Sequence, residues 1–167
     1  TLKYTLKKIL PKSLFAVVLL VWRKILLKKK KKIDSIRVKK FTTYHAVTLT
    51  HRDQKFSLFI SPYNGFIDKH IFLYGVYEPF MLDLFSVYLK KGGTFVDIGA
   101  NIGQHSMYAA SIVGETGVVH AFEPIPAIYN QIQDSVRENH FENIINVHNV
   151  ALGEHEKEEQ LYVSKNV

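Results

Sequence analysis

The feature that most constrains this sequence is the change, from Thr94 onwards, to an alternation of short apolar runs and segments with helical spacing. The apolar runs predict strands over Thr94–Ile98, Val118–Phe122 and 144–152. Between them, apolar side chains recur at helical spacing over Ile102–Val113 and Pro126–Asn139. Strands that alternate with helices of this length form right-handed βαβ units with parallel strands. The sequence therefore predicts an α/β fold with a partial parallel sheet and flanking helices.

A different pattern precedes this region. The runs "YHAVTLT" and "FSLFIS", joined by the polar "HRDQK", predict a β-hairpin within Phe41–Ile60. A turn follows at "SPYNG", and a helix is expected to begin at Pro79 and to stop before Gly92. We therefore divide the chain into a basic segment over 1–40, a hairpin and helix lead-in over 41–93, and a sheet region over 94–167. The run "QLYVS" near the end predicts the opening of a fourth strand, so we expect the sheet region to be the truncated first half of a domain.

The charge of the chain is concentrated at its beginning. The net charge is +7, but residues 1–40 carry 14 Lys and Arg against one acid, whereas residues 41–167 carry 8 against 14. A nucleic-acid-binding domain more often spreads its basic residues over the folded face that contacts phosphate. We therefore expect no nucleic-acid partner. The sequence has no cysteine, which excludes disulfides and thiolate metal sites and fits a cytoplasmic location.

The basic segment contains an apolar run, Leu14–Trp22, followed by five lysines at Lys28–Lys32. Nine apolar residues are too few to cross a bilayer, which takes roughly 20. One interpretation is that residues 12–32 lie on an anionic membrane surface, at the inner face of the membrane. The other is a helix packed on the domain and followed by a solvated lysine run.

The strand ends carry the candidate site. In parallel sheets ligands bind outside the carboxyl ends of the strands. A carboxylate and a glycine-rich turn follow the first strand, Glu123 and Pro124 follow the second, and Asn149 to Ala151 end the third. The residues of the turn are Asp97, Gly99, Ala100, Asn101 and Gly103. A second carboxylate, Glu78, precedes the helix at Pro79, where it either closes over the site or acts as a helix N-terminal charge.

The turn distinguishes between two classes of ligand. A dinucleotide site requires G-x-G-x-x-G, so that pyrophosphate rests on bare backbone at a helix N-terminus. Here Asn101 stands where a glycine would be needed, and Asp97 would repel pyrophosphate but attract an ammonium group. Glu123 can accept hydrogen bonds from a ribose diol. These residues favour S-adenosylmethionine, whose methionine part is cationic, over NAD(P).

At this point the residues resemble a known family. "FVDIGANIG", "GVVHAFEPIPAIYNQIQDSVREN" and "INVHNVALGE", with "GVYEP" upstream, are similar to FkbM-type methyltransferases. The resemblance implies a Rossmann-like class I methyltransferase fold and O-methylation of a hydroxyl on a sugar or another small molecule. It also implies that Gly99–Gly103 contact the methionine part, Glu123 the ribose and Asn149–Ala151 the adenine. The half of the family's domain that supplies most of the acceptor pocket has no counterpart here, so no residue is identified as catalytic.

Two alternatives to a methyltransferase remain at the level of sequence. The first is an NAD(P)-dependent oxidoreductase of Rossmann type, and the second is a non-catalytic, membrane-associated fragment. A metal site is not expected, because no two of the eight histidines are four residues apart on a helix. We interpret His120 and His148, which fall in predicted strands, as packed or hydrogen-bonded side chains.

Overall fold

The computed structural model describes residues 27–32, 34–35, 41–63, 65–155, 157–158 and 160. The chain divides into two compact units, Thr1–Lys40 and Phe41–Val167. In the first unit, residues 27–32 are helical and exposed. The apolar run Leu14–Trp22, Asn64 of the predicted turn and all but Gln160 of the predicted fourth strand lie outside the described residues. Among the described residues, no helix has the length and apolar character that a bilayer crossing requires.

The second unit opens with an antiparallel hairpin of strands β1 (His45–His51) and β2 (Gln54–Ile60). The predicted five-residue connection is wrong, because the strands extend to His51 and Gln54 and only Arg52 and Asp53 form the turn. Arg52 has a positive φ of 49°. A positive φ in a two-residue turn matches the twist of the flanking strands. The strand pairing therefore continues up to the turn, although the residues beside it are polar.

Two helices connect the hairpin to the sheet. Helix α1 (Phe66–Tyr74) was not predicted, and only its Asp68 and Ile71 are fully buried. Because aromatic side chains of this helix are exposed, its apolar residues do not form the single buried stripe that normally identifies a helix in a sequence. Helix α2 (Pro79–Tyr88) begins at the predicted proline, and Leu82 is its one fully buried residue.

The three remaining strands form a parallel sheet in the order β3 (Thr94–Ile98), β4 (Val118–Phe122) and β5 (Ile145–His148). Helices α3 (Gln104–Val113) and α4 (Pro126–Glu138) connect them. The predicted α/β class, with a partial parallel sheet, flanking helices and a hairpin and helix lead-in, is confirmed.

The core lies between the sheet, these two helices and the hairpin. Strand β2 packs against α3 and α4, α3 packs against β3 and β4, and α4 packs against β5. Helix α3 is buried along most of its length, with Met107, Tyr108, Ala109 and Ala110 inaccessible to solvent. The order of the layers places the turn before α3 at the carboxyl end of β3, where the site is expected.

Among the predicted boundaries that differ from the structure, two affect the site. Helix α3 begins at Gln104 and not at Ile102, because Gly103, with a φ of 83°, is the residue that precedes its first turn. Strand β5 ends at His148, so Asn149 to Ala151 follow the strand instead of forming its end.

A buried carboxyl group ties the lead-in to α4. Asp68 is inaccessible to solvent, and its Oδ1 accepts hydrogen bonds from the Ser61 backbone N–H at 2.7 Å and from Gln131 Nε2 at 2.8 Å. Its Oδ2 is buried without a hydrogen-bond partner among the described residues. Burial raises the pKa of Asp68, and these hydrogen bonds only partly oppose the shift.

We expect Asp68 to make stability depend on pH. A raised native pKa means that the folded protein binds this proton more tightly than the unfolded chain, whose carboxyl titrates near about 4. The free energy of unfolding should therefore fall as the pH rises from about 4 through the native pKa. Asp68→Asn keeps the accepting oxygen and should reduce this pH dependence, leaving the part that comes from the buried Asp97, whose pKa burial also raises. Urea unfolding at several pH values measures it, and identical profiles for the two proteins would contradict the assignment.

Candidate functional site

The glycine turn, residues 99–103, lies across the end of the neighbouring strand. The backbone N–H groups of Gly99 and Ala100 both donate to the carbonyl oxygen of Phe122, at 3.0 and 2.9 Å. Gly99 has a φ of 76°, and beyond its two chain neighbours no heavy atom of the described residues lies within 4 Å of the position that a Cβ would take there. The turn is thus fixed to β4 on one side and open beside Gly99 on the other.

The second half of the turn is occupied by local contacts. Asn101 has a positive φ of 49°, and its side-chain oxygen accepts the Ile102 backbone N–H at 2.8 Å. A Cβ on Gly103 would lie 3.3 Å from both Ile132 Cγ1 and Cγ2 and 3.5 Å from Met107 Cε. Gly103 therefore allows α3 and α4 to approach closely, whereas Gly99 faces open space.

Asp97 precedes this turn, near the end of β3. It is 8% exposed, and its Oδ2 accepts a hydrogen bond from the Ser106 hydroxyl at 2.6 Å. Burial raises the pKa of Asp97, while Ser106 and the nearby His105 partly offset the shift. The carboxyl group is consequently bonded to the first turn of α3. No pattern in the sequence indicates that Ser106 is its partner.

Glu123 connects the end of β4 to the glycine turn. It is 5% exposed, its Oε2 accepts the Asn101 backbone N–H at 3.0 Å, and its Oε1 accepts the Ile125 backbone N–H at 2.9 Å. A carboxylate offers about four acceptor positions. Two backbone bonds therefore leave Glu123 able to accept two hydroxyl donors, as a ribose diol requires.

The segment after β5 joins the same network. Asn149 donates through Nδ2 to the carbonyl oxygens of Glu123 at 2.9 Å and Pro124 at 3.1 Å. Its side chain thus holds the chain leaving β4, and Ala151 further along is exposed. The structure brings the predicted residues of all three strand ends to one edge of the sheet.

The lead-in reaches the same place through a residue that sequence reasoning missed. Gln104 is 5% exposed, accepts the Tyr77 backbone N–H at 2.6 Å through Oε1, and donates through Nε2 to the Tyr77 carbonyl at 2.7 Å. Because Gln104 directly follows Gly103, these bonds place Tyr77 and the exposed Glu78 beside the glycine turn. The sequence offered no signal for this pairing, since a glutamine at a helix start is common.

The two strand histidines are paired with each other. His120 Nδ1 and His148 Nε2 lie 3.2 Å apart, and the His148 ring stacks on Phe122 with centroids 4.5 Å apart. The interpretation of these side chains as packed or hydrogen-bonded is confirmed. Across the described part of the chain, no three side chains of His, Cys, Asp or Glu are grouped so that they could hold a metal ion.

The two glycines of the turn should respond differently to substitution. An alanine with positive φ costs about 1–2 kcal/mol of stability. Gly103→Ala must also displace Ile132, which adds roughly 1–3 kcal/mol of overpacking. We therefore expect a larger loss of unfolding free energy for Gly103→Ala than for Gly99→Ala in urea unfolding. Equal losses would show that α4 does not pack against Gly103 as described.

The part of the chain that carries the site is similar to a known family. Residues 97–166 match the model of the methyltransferase FkbM domain. No curated protein matches the chain. One similar solved structure is described as a "putative rRNA-methylase" from Clostridium thermocellum, with a TM-score of 0.42 and 21% identity, covering 42% of this chain and 40% of that one. Another is a protein-L-isoaspartate O-methyltransferase, with a TM-score of 0.39 and 17% identity, covering 71% of this chain and 41% of that one.

The chain spans about two fifths of the length of these two proteins, at 40% and 41%. The match to the FkbM domain begins at Asp97 and includes the glycine turn, Glu123 and Asn149. The resemblance seen in the sequence is therefore confirmed: residues 97–166 carry the signature of the FkbM methyltransferase domain on a parallel α/β sheet.

Proposed function

We propose that this protein binds S-adenosylmethionine and serves as a methyltransferase. The observation that carries the proposal is the open side of Gly99, in a turn that follows Asp97 of β3 and donates its Asn101 backbone N–H to the Glu123 carboxylate. A cationic methionine part suits a site with two buried acids, and a ribose diol suits the remaining acceptor positions of Glu123. The FkbM match over residues 97–166 supports the same assignment.

The chemistry expected of such a site is methylation of a hydroxyl on a sugar or another small molecule. When bound, the cofactor would supply a methyl group from its sulfonium, which becomes a neutral thioether. The hydroxyl oxygen of the acceptor gains the methyl group and loses its proton. The residues around the turn bind and orient, and orientation of two reactants accounts for much of the rate of such a displacement. We assign no residue as general base.

The alternative oxidoreductase is disfavoured by the same turn. Pyrophosphate would need bare backbone where Asn101 stands, with its side chain bonded to the Ile102 N–H. It would also approach the buried Asp97 carboxyl group, two residues before Gly99 in the chain, which repels it when ionised. The turn therefore suits a cation better than a dinucleotide.

Filling the open side of Gly99 should abolish most of the cofactor binding. We expect Gly99→Ala to weaken S-adenosylmethionine binding at least about tenfold, which corresponds to 1.4 kcal/mol, because its methyl group occupies the space that the ligand requires. Isothermal titration calorimetry measures the affinity. Gly114→Ala is the control, since Gly114 also has positive φ and open space but lies beyond the far end of α3.

The same titration separates the two cofactor classes. Binding of a nicotinamide dinucleotide with no response to S-adenosylmethionine would contradict the proposed function. Equal weakening by Gly99→Ala and Gly114→Ala would show that the ligand does not approach Gly99.

We also propose that residues 12–32 contact an anionic membrane surface. The described lysines of this segment, Lys28 to Lys32, are all exposed on helical residues. Each lysine near an acidic leaflet contributes about 1 kcal/mol. Such a contact would hold the protein at the membrane surface.

Charge removal tests this contact. Replacing Lys28–Lys32 with glutamine should weaken binding to phosphatidylserine vesicles in sedimentation assays, and salt should weaken binding of the unaltered protein. A smaller variant, Lys31→Gln/Lys32→Gln, has a matched control in Lys90→Gln/Lys91→Gln. The control removes the same charge from an exposed site in the second unit. Equal effects of the two pairs, or vesicle binding that survives all five substitutions, would exclude this surface.

A further inference from the structure

The backbone of Glu78 is held in an unusual conformation. Its φ and ψ are 48° and 58°, in the left-handed region, and its side chain makes no capping hydrogen bond to α2. A residue with a side chain pays about 1–2 kcal/mol to adopt this conformation. Such residues persist only where their surroundings hold them, and they are concentrated at functional sites.

The backbone of this segment is held by a pair of hydrogen bonds between Tyr77 and Gln104, while the Tyr77 ring contacts Phe66 and His70. The side-chain amide of Gln104 satisfies both the N–H and the C=O of Tyr77, at 2.6 and 2.7 Å, and is itself 5% exposed. A buried amide with both groups bonded is fixed in position. The Tyr77–Glu78 turn is therefore fastened to the first residue of α3, next to Gly103.

Asp97 and Glu78, two of the three acids near the glycine turn, differ in their access to solvent. Asp97 is 8% exposed and already accepts a hydrogen bond from Ser106. Glu78 is exposed, and its charge is the main cause that raises the pKa of the neighbouring Tyr77 phenol. Of these two carboxylates, Glu78 is thus the one that an entering cation meets first.

We propose that Gln104 is a positioning residue, which fastens the Tyr77–Glu78 turn beside the glycine turn so that the Glu78 carboxylate binds the cationic amino-acid end of the methyl donor. This inference rests on the proposed function. A glutamine suits the role because one neutral side chain supplies both the acceptor for the Tyr77 N–H and the donor for its C=O. A glutamate at position 104 would still accept the Tyr77 N–H, but its second carboxylate oxygen would face the Tyr77 carbonyl oxygen and could donate no hydrogen bond to it.

A double-mutant cycle tests whether Gln104 acts through Glu78. The proteins are the unaltered chain, Glu78→Gln, Gln104→Ala and the double variant, and the measurement is S-adenosylmethionine affinity by calorimetry. We expect each single variant to lose about tenfold in affinity, and the double variant to lose no more than either one. The inference would be overturned if the double variant's loss of affinity equalled the product of the two single losses. Unchanged affinity of the Gln104 variant would also overturn it.

A second ligand separates positioning from general damage to the fold. 5′-Methylthioadenosine has the nucleoside but no amino-acid part, so both single variants should bind it as well as the unaltered protein does. If Gln104→Ala weakens both ligands equally, its role is structural and the inference fails. Gln133→Ala is the control, because it also removes a hydrogen-bonded glutamine, whose partner is Tyr129 on α4.

Two further outcomes are distinguishable. If Gln104→Ala does not fold, Gln104→Met keeps the side-chain volume without the hydrogen bonds and takes its place in the cycle. If the unaltered protein binds neither S-adenosylmethionine nor methylthioadenosine, the proposed function fails and the inference with it. Binding by the unaltered protein with multiplicative losses overturns the inference alone.

Discussion

The site depends on one side chain, the Glu123 carboxylate. Its two oxygens accept the backbone N–H groups of Asn101 and Ile125, so it joins the glycine turn after β3 to the chain that leaves β4. Hydrogen bonds to a charged group are stronger than those between neutral groups, by a factor of about two. Without this carboxylate, two backbone N–H groups at the edge of the sheet would lose their partner. The same group that organises the edge is thus the one expected to bind a ligand.

Around this carboxylate the structure arranges three segments that are distant in sequence. Asn149 holds the exit of β4 by bonding two backbone carbonyls, and Gln104 holds the lead-in turn by bonding Tyr77. Both use a side-chain amide to satisfy main-chain groups, which leaves the carboxylates of Asp97, Glu123 and Glu78 as the charged groups. These carboxylates are the groups that the proposed cationic ligand would contact. The two side-chain amides thus hold backbone segments in position, whereas the acids provide the charged groups of the site.

The sequence predicted the strands and helices whose apolar residues recur at regular spacing, but it did not predict helix α1, which lacks such spacing. The parallel strands and their helices follow from apolar residues at spacings of two and of three to four. Helix α1 has few buried positions, one of which is the carboxyl-bearing Asp68, so its pattern does not read as amphipathic. The hairpin turn was placed too broadly because polar residues such as His51 and Gln54 continue the ladder. In each case a tertiary contact replaced the apolar pattern on which the prediction depends.

The sequence by itself determined the order of strands and helices and the position of Asp97, the glycine turn and Glu123 at the strand ends. Those features depend on residue type and local spacing, which the chain carries without reference to distant parts. Only the tertiary structure decided that Gly103 serves packing while Gly99 faces open space, and that Gln104 fastens Tyr77. Such partnerships depend on how segments far apart in the chain are brought together by burial of the core, and no local pattern records that choice.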